Sequence, residues 1–179
     1  HGGPAHHISR TFSPYFQVLA GAGYAVLAPN YRGSTGRGGD FCRASVGALT
    51  VADTRDLRGG IDLAVAEGVA DPARVGVMGW SYGGALAMAL ARDDERVRAV
   101  VAGAPVADWI GLLGATNFPT TAWRYAGSPP WQDRAPWDAA SPVSWVHRLN
   151  APTLLLHGTE DAAVPFAQSL SLYRLMLAL

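Results

Sequence analysis

The sequence predicts an α/β domain, a mostly parallel sheet with helices on both faces. Short apolar segments such as "YAVLAP", "RVGVMGW", "VRAVVAGAP" and "PTLLLHG" lack polar alternation, as strands buried on both sides do. Stretches with helical spacing separate them, in the alternation that builds parallel sheets. With 179 residues, 49% hydrophobic and 16% charged, the chain can bury one core without disulfides or a structural metal, so a single domain over 1–179 is expected.

The elements follow in order. "SPYFQVLAGAG" reads as a helix with Ser13 as N-cap, Pro14 in the first turn, and Gly21 or Gly23 at its end. Tyr24 to Ala28 reads as a buried strand stopped by Pro29, and the glycine-rich "NYRGSTGRGGD" as loop. From Asp53 to Glu67, Leu57, Ile61, Ala64 and Val65 recur at helical spacing, and Gly68 is placed to stop that helix. "RVGVMGW" is the next strand, Ser81 to Ala91 a helix, and "VRAVVAGAP" another strand. Residues 106–150, rich in tryptophan and proline, suggest an irregular, aromatic-lined excursion. "PTLLLHG" is a further strand, and Pro165 to Leu179 a helix.

Composition excludes several functions. Basic and acidic residues number 14 each, so no net field draws nucleic acid or an anionic membrane, and neither is expected as a partner. Cys42 stands alone, which rules out an internal disulfide and a cysteine-cluster metal site. The histidines lack ligand spacing and there is no phosphate loop, so no metal or other cofactor is expected. No apolar run reaches the roughly 18 residues of a membrane span. No charged-then-apolar leader opens the chain, and a soluble, cytoplasmic setting is the expectation.

The chemistry concentrates around Ser81. Gly79-Trp80-Ser81-Tyr82-Gly83 matches G-x-S-x-G, flanked by a strand and a helix as a nucleophile elbow requires. A buried strand that turns into a helix within a few residues strains the turning residue, and side chains on its neighbours would collide. The same pentapeptide also arises as a glycine turn with a capping serine, and the strand-turn-helix context favours the nucleophile. At such an elbow the Tyr82 N–H points toward a developing oxyanion. A weak hydroxyl also needs a base and a group to orient that base. Asp161, in the loop after the "TLLL" strand, is the expected acid, with Glu160 its rival. The opening "HGGP" is of the type that supplies a second oxyanion donor, for which Gly3 N–H is the choice.

Taken together, "HGGP", "APNYRGSTGRGGDF", "ADPARVGVMGWSYGG", "GAPVADW", "SPVSWV" and "PTLLLHGTEDAAVP" resemble the catalytic domain of the prolyl oligopeptidase family of serine peptidases, in its acylaminoacyl-peptidase and dipeptidyl-peptidase branches. The resemblance covers nearly the whole chain. It implies an α/β-hydrolase fold, Ser81 as nucleophile, Asp161 as orienting acid, and Gly3 and Tyr82 as oxyanion donors. It also implies an apolar specificity pocket near Tyr82, Val106, Trp109, Leu112 and Val164, and a peptide or acyl-peptide substrate.

Two departures qualify the resemblance. The family sets its histidine roughly thirty residues beyond the aspartate, whereas 18 residues follow Asp161 here. His157 precedes the acid, His147 lies before that strand, and His1, His6 and His7 belong to the opening loop. The base is therefore expected beyond residue 179, both ends are expected to be cut, and the chain by itself is expected to be inactive. Ala163 stands where relatives often carry Arg or Asn, which weakens a dipeptidase reading. A carboxylesterase using the same constellation, or a non-catalytic module of the same fold, are the competing readings.

Overall fold

Local signals decide where the first elements begin. The computed structural model describes residues 1–179, the side chain of Thr121 excepted. Helix α1 (Pro14–Gly21) starts where expected: Ser13 stays extended and accepts the Phe16 N–H at 3.5 Å, with Pro14 in the first turn. A short helix, α2 (Gly39–Arg43), lies at the end of the glycine-rich stretch read as loop. Helix α3 (Ala52–Ala66) buries Ile61 and part of Leu57 and Val65, the stripe that its spacing marks.

The sheet has three parallel strands, β1 (Val75–Trp80), β2 (Val97–Gly103) and β3 (Thr153–Leu156), in the order β1-β2-β3. Parallel neighbours require crossovers. Helix α4 (Tyr82–Asp93) makes the first, packing along both β1 and β2. The second is the excursion after β2, which holds four short α-helices, α5 (Trp109–Leu113), α6 (Pro119–Ala126), α7 (Ala135–Ala140) and α8 (Pro142–Trp145), and a 3₁₀ turn at Val146–Arg148. Helix α9 (Ala167–Leu177) follows β3. The register aligns Met78, Val101 and Leu154 on one face, and Val77, Val100 and Thr153 on the other. The face beneath α4 is dry, with Val100 and Ala102 buried; across the sheet, Met78, Trp80, Leu154 and Leu156 stay largely exposed.

One expected strand is absent. Tyr24 to Ala28 runs without strand pairing, and Tyr24, Val26 and Leu27 are exposed rather than buried. An apolar segment becomes a strand only when a neighbour satisfies its N–H and C=O groups, and no neighbour lies there among the described residues. Leu27 lies against α3, where a Cβ on Gly60 would meet its Cδ2 at 3.2 Å.

Two apolar clusters divide the interior. One, around Met88, Val100, Trp145 and Leu172, glues α4 and α9 to the sheet. The other gathers Tyr31, Tyr82, Leu86, Val106, Trp109, Leu112, Trp137 and Val164 at the carboxyl ends of the strands. In open α/β sheets ligands bind at that rim. No helix among the described residues is long and apolar enough to cross a membrane.

Candidate active site

Ser81 sits between β1 and α4 with φ 60° and ψ −121°, a left-handed conformation that a residue with a Cβ adopts only when its surroundings force it. Its N–H is held by the Gly103 carbonyl at 2.8 Å, and its own carbonyl accepts from Gly84 N at 3.0 Å. The backbone is thus pinned from both sides, while Oγ makes no hydrogen bond among the described residues.

The surrounding glycines are required by closeness, since Gly79, Gly83 and Gly84 all have ordinary φ. A Cβ on Gly79 would lie 2.0 Å from the Gly83 carbonyl oxygen. On Gly83 it would lie 2.8 Å from His1 O, and on Gly84 2.9 Å from Gly103 O. Each glycine therefore admits a different stretch of backbone: the turn itself, the opening loop and β2.

That opening loop passes beside the serine. A Cβ on Gly2 would stand 3.6 Å from Ser81 Cβ, and Gly3, at φ 122°, faces the same cleft as Ser81 and Tyr82. The Tyr82 N–H, at the start of α4, has no acceptor among the described residues, as first-turn donors lack helical partners. Donors at a helix N-terminus suit developing negative charge. Tyr31 fixes the loop by donating from its hydroxyl to His1 O at 2.6 Å.

The cleft is apolar and narrow. Tyr82, Val106, Trp109 and Leu112 line it, together with Phe118, Ala122 and Tyr125, which sequence reasoning missed. The last three come from α6 and the turn before it, in the excursion whose pattern carried no signal. Val164 packs in the cluster beneath, 2% exposed, and is not among the lining residues. A broader depression of about 360 Å³ over the Arg32–Asp56 pair contains no nucleophile.

Asp161 follows β3, so parallel pairing brings it to the rim where Ser81 follows β1. Its Oδ1 accepts the N–H groups of Ala163 and Val164, both at 2.9 Å. Oδ2 lies 3.7 Å from His157 Nε2, and the side chain keeps 23% exposure, enough to meet a further donor. Glu160 is exposed and makes no side-chain hydrogen bond among the described residues. His157 is committed elsewhere: Nε2 donates to Val164 O at 2.7 Å, so Nδ1 accepts from the Ser169 hydroxyl at 2.6 Å. It braces the Asp161 turn. No histidine among the described residues hydrogen-bonds Ser81.

A second carboxylate, Asp53, escaped the sequence reading, in which it only opened a helical pattern. It is fully buried. The Tyr82 hydroxyl donates to its Oδ2, and Thr54 N–H donates to Oδ1 at 3.0 Å. Burial pushes its carboxyl up to about 6, against the pull of the Tyr82 hydrogen bond. The same burial, with the Asp53 charge, pushes the Tyr82 phenol well above its ordinary value.

A parallel sheet, a strained serine at a strand-to-helix elbow and a carboxylate on the same rim define the α/β-hydrolase class. The chain belongs to the prolyl oligopeptidase family, whose pattern matches residues 10–177. It is 34% identical over 182 residues to the acylamino-acid-releasing enzyme of Homo sapiens, covering 97% of this chain and 25% of that protein. To the acylamino-acid-releasing enzyme of Arabidopsis thaliana it is 33% identical over 184 residues, covering 97% and 24%. Among solved structures, an acylaminoacyl peptidase in complex with Z-Gly-Gly-Phe-chloromethyl ketone superposes with a TM-score of 0.92 at 25% identity, covering 99% of this chain and 29% of that one. The chain thus spans about a quarter of the length of these curated relatives.

Proposed function

We propose that this chain carries the nucleophile of a serine peptidase that cleaves peptide or acyl-peptide bonds through an acyl-enzyme on Ser81. The observation that carries the reading is the Ser81 elbow: a strained residue with an unengaged hydroxyl, set against main-chain donors and an apolar cleft. Asp161 is the triad acid, with one oxygen tied to backbone and the other free to receive the N–H of a histidine. That histidine comes from outside residues 1–179.

In the first step Ser81 Oγ bonds to the substrate carbonyl carbon as its proton passes to the histidine. The carbonyl oxygen takes up the negative charge, which the N–H groups of Tyr82 and Gly3 hold. Collapse then breaks the C–N bond, and the histidine returns its proton to the leaving amine. Water repeats the sequence on the acyl-enzyme and frees Ser81. An oxyanion donor of this kind contributes about 10²- to 10³-fold in kcat.

The apolar wall formed by Val106, Trp109 and Leu112 favours an apolar side chain on the acyl side of the cleaved bond. In support, the inhibitor in the acylaminoacyl peptidase neighbour ends in phenylalanine. The test compares the full-length protein on N-acyl-aminoacyl p-nitroanilides and the matching p-nitrophenyl esters. Turnover of both, with phenylalanine preferred to lysine, is expected. Turnover of the esters alone would replace the peptidase with an esterase.

A further inference from the structure

We propose that Asp53 is a positioning residue for acyl transfer at Ser81: by holding the Tyr82 hydroxyl, it fixes the peptide whose N–H faces the oxyanion. The proposal rests on the reading of Ser81 as nucleophile and Tyr82 N–H as oxyanion donor.

Three unfavourable features converge on this one phenol. Asp53 is 0% exposed and makes no ion pair among the described residues, since neighbouring Arg32 is taken by Asp56 at 2.5 Å. A buried carboxylate without a cation is costly to keep. Thr50, which donates its N–H to the Tyr82 oxygen at 3.1 Å, is itself left-handed at φ 59°. Its own hydroxyl is buried without a partner. A phenylalanine at 82 would fill the same core space and need none of this. What the arrangement adds is a phenol held from two directions, donating to Asp53 and accepting from Thr50.

The consequence reaches the site through a single residue. Tyr82 follows the nucleophile directly, its ring walls the cleft, and its N–H opens α4. With both ends of the side chain fixed, the peptide between Ser81 and Tyr82 cannot rock about the elbow. Strain and buried polar groups of this kind gather where geometry is held for function.

The test uses the full-length protein and a pair of ester substrates that differ only in C=O or C=S at the scissile carbon. Sulfur fits a hole built for oxygen poorly, so the oxo-to-thiono ratio of kcat reads the alignment of the hole. Active sites are counted by fluorophosphonate labelling of Ser81. In Asp53→Ala the oxo substrate should slow by about 10- to 100-fold and the ratio should narrow by about tenfold, a fraction of what loss of a whole donor costs. Tyr82→Phe, which keeps the ring, should narrow the ratio similarly, and the double variant no further. Asp53→Asn, which keeps an acceptor for the phenol, should restore most of the ratio. A purely structural role would lower the count of active sites and leave the ratio untouched. An unchanged ratio in both Asp53→Ala and Tyr82→Phe overturns the proposal. Absence of Ser81 labelling in the unmodified protein would defeat the nucleophile assignment instead.

Discussion

A methyl group on Gly79 would place its carbon 2.0 Å from the Gly83 carbonyl oxygen and 2.3 Å from the carbonyl carbon. Three residues earlier on the same strand, a methyl on Gly76 would meet nothing nearer than Ala99 O at 4.0 Å. The two alanine substitutions share chemistry and neither needs a left-handed φ; Gly76 lies on the exposed face beside a register irregularity and Gly79 on the opposite face, and what the added carbon strikes is the main difference. An ordinary carbon-to-oxygen contact needs well over 3 Å, so Gly79→Ala must push the first turn of α4 away by more than 1 Å. The obstacle is backbone, which cannot rotate aside. Overpacking of this kind costs about 1–3 kcal/mol and occasionally more, and a displacement of 1 Å at a catalytic group costs about 10²-fold in rate. Urea unfolding of both variants, with the rate of fluorophosphonate labelling at Ser81, measures the two effects. We expect Gly79→Ala to lose about 3 kcal/mol and to label about 100-fold more slowly, with Gly76→Ala within about 0.5 kcal/mol of the parent. If Gly79→Ala matches Gly76→Ala in both readouts, the close approach does not explain the glycine.

Other outcomes follow from the same geometry. Because burial raises the Asp53 carboxyl to about 6, the folded state holds a proton that the unfolded chain has already released between pH 4 and 6. Stability then falls as pH rises through that window, by an amount on the order of 3 kcal/mol at this one residue. Urea midpoints taken from pH 4 to 7 should accordingly show Asp53→Asn gaining on the parent, and parallel curves would refute this. His157→Leu should cost about 1–3 kcal/mol by leaving Val164 O and the Ser169 hydroxyl unpaired; a fully stable variant would show that the brace is dispensable. Asp161→Asn should lower kcat by about 10⁴-fold at unchanged thermal stability, whereas Glu160→Gln should leave turnover as it was. The reverse result would exchange the two acidic residues.

Much of this site is legible in the sequence because it is local. The strand, the turn at Ser81 and the following helix occupy one continuous stretch, and the glycines that permit the turn are adjacent in the chain. The Asp161 turn is local too, since its Oδ1 caps the N–H groups two and three residues on. What could not be read depends on contacts between distant segments. Asp53 meets Tyr82 across 29 positions, and a period of 3.6 assigns it a helix face without naming the neighbour. Phe118, Ala122 and Tyr125 reach the cleft from α6 and the turn before it, whose surroundings are too broken by proline for any periodicity to build up. Tyr24 to Ala28 has the composition of a buried strand, but a ladder is a property of two segments, and composition describes one.

The proposed acyl transfer depends most on the Ser81 hydroxyl being the group that attacks. Incubating the full-length protein with a fluorophosphonate, digesting it and mapping the adduct by mass spectrometry tests this directly. One phosphonyl group per chain on the peptide containing Ser81, abolished in Ser81→Ala, is the result expected. An adduct on another serine, or none in a protein that still turns over substrate, would contradict it.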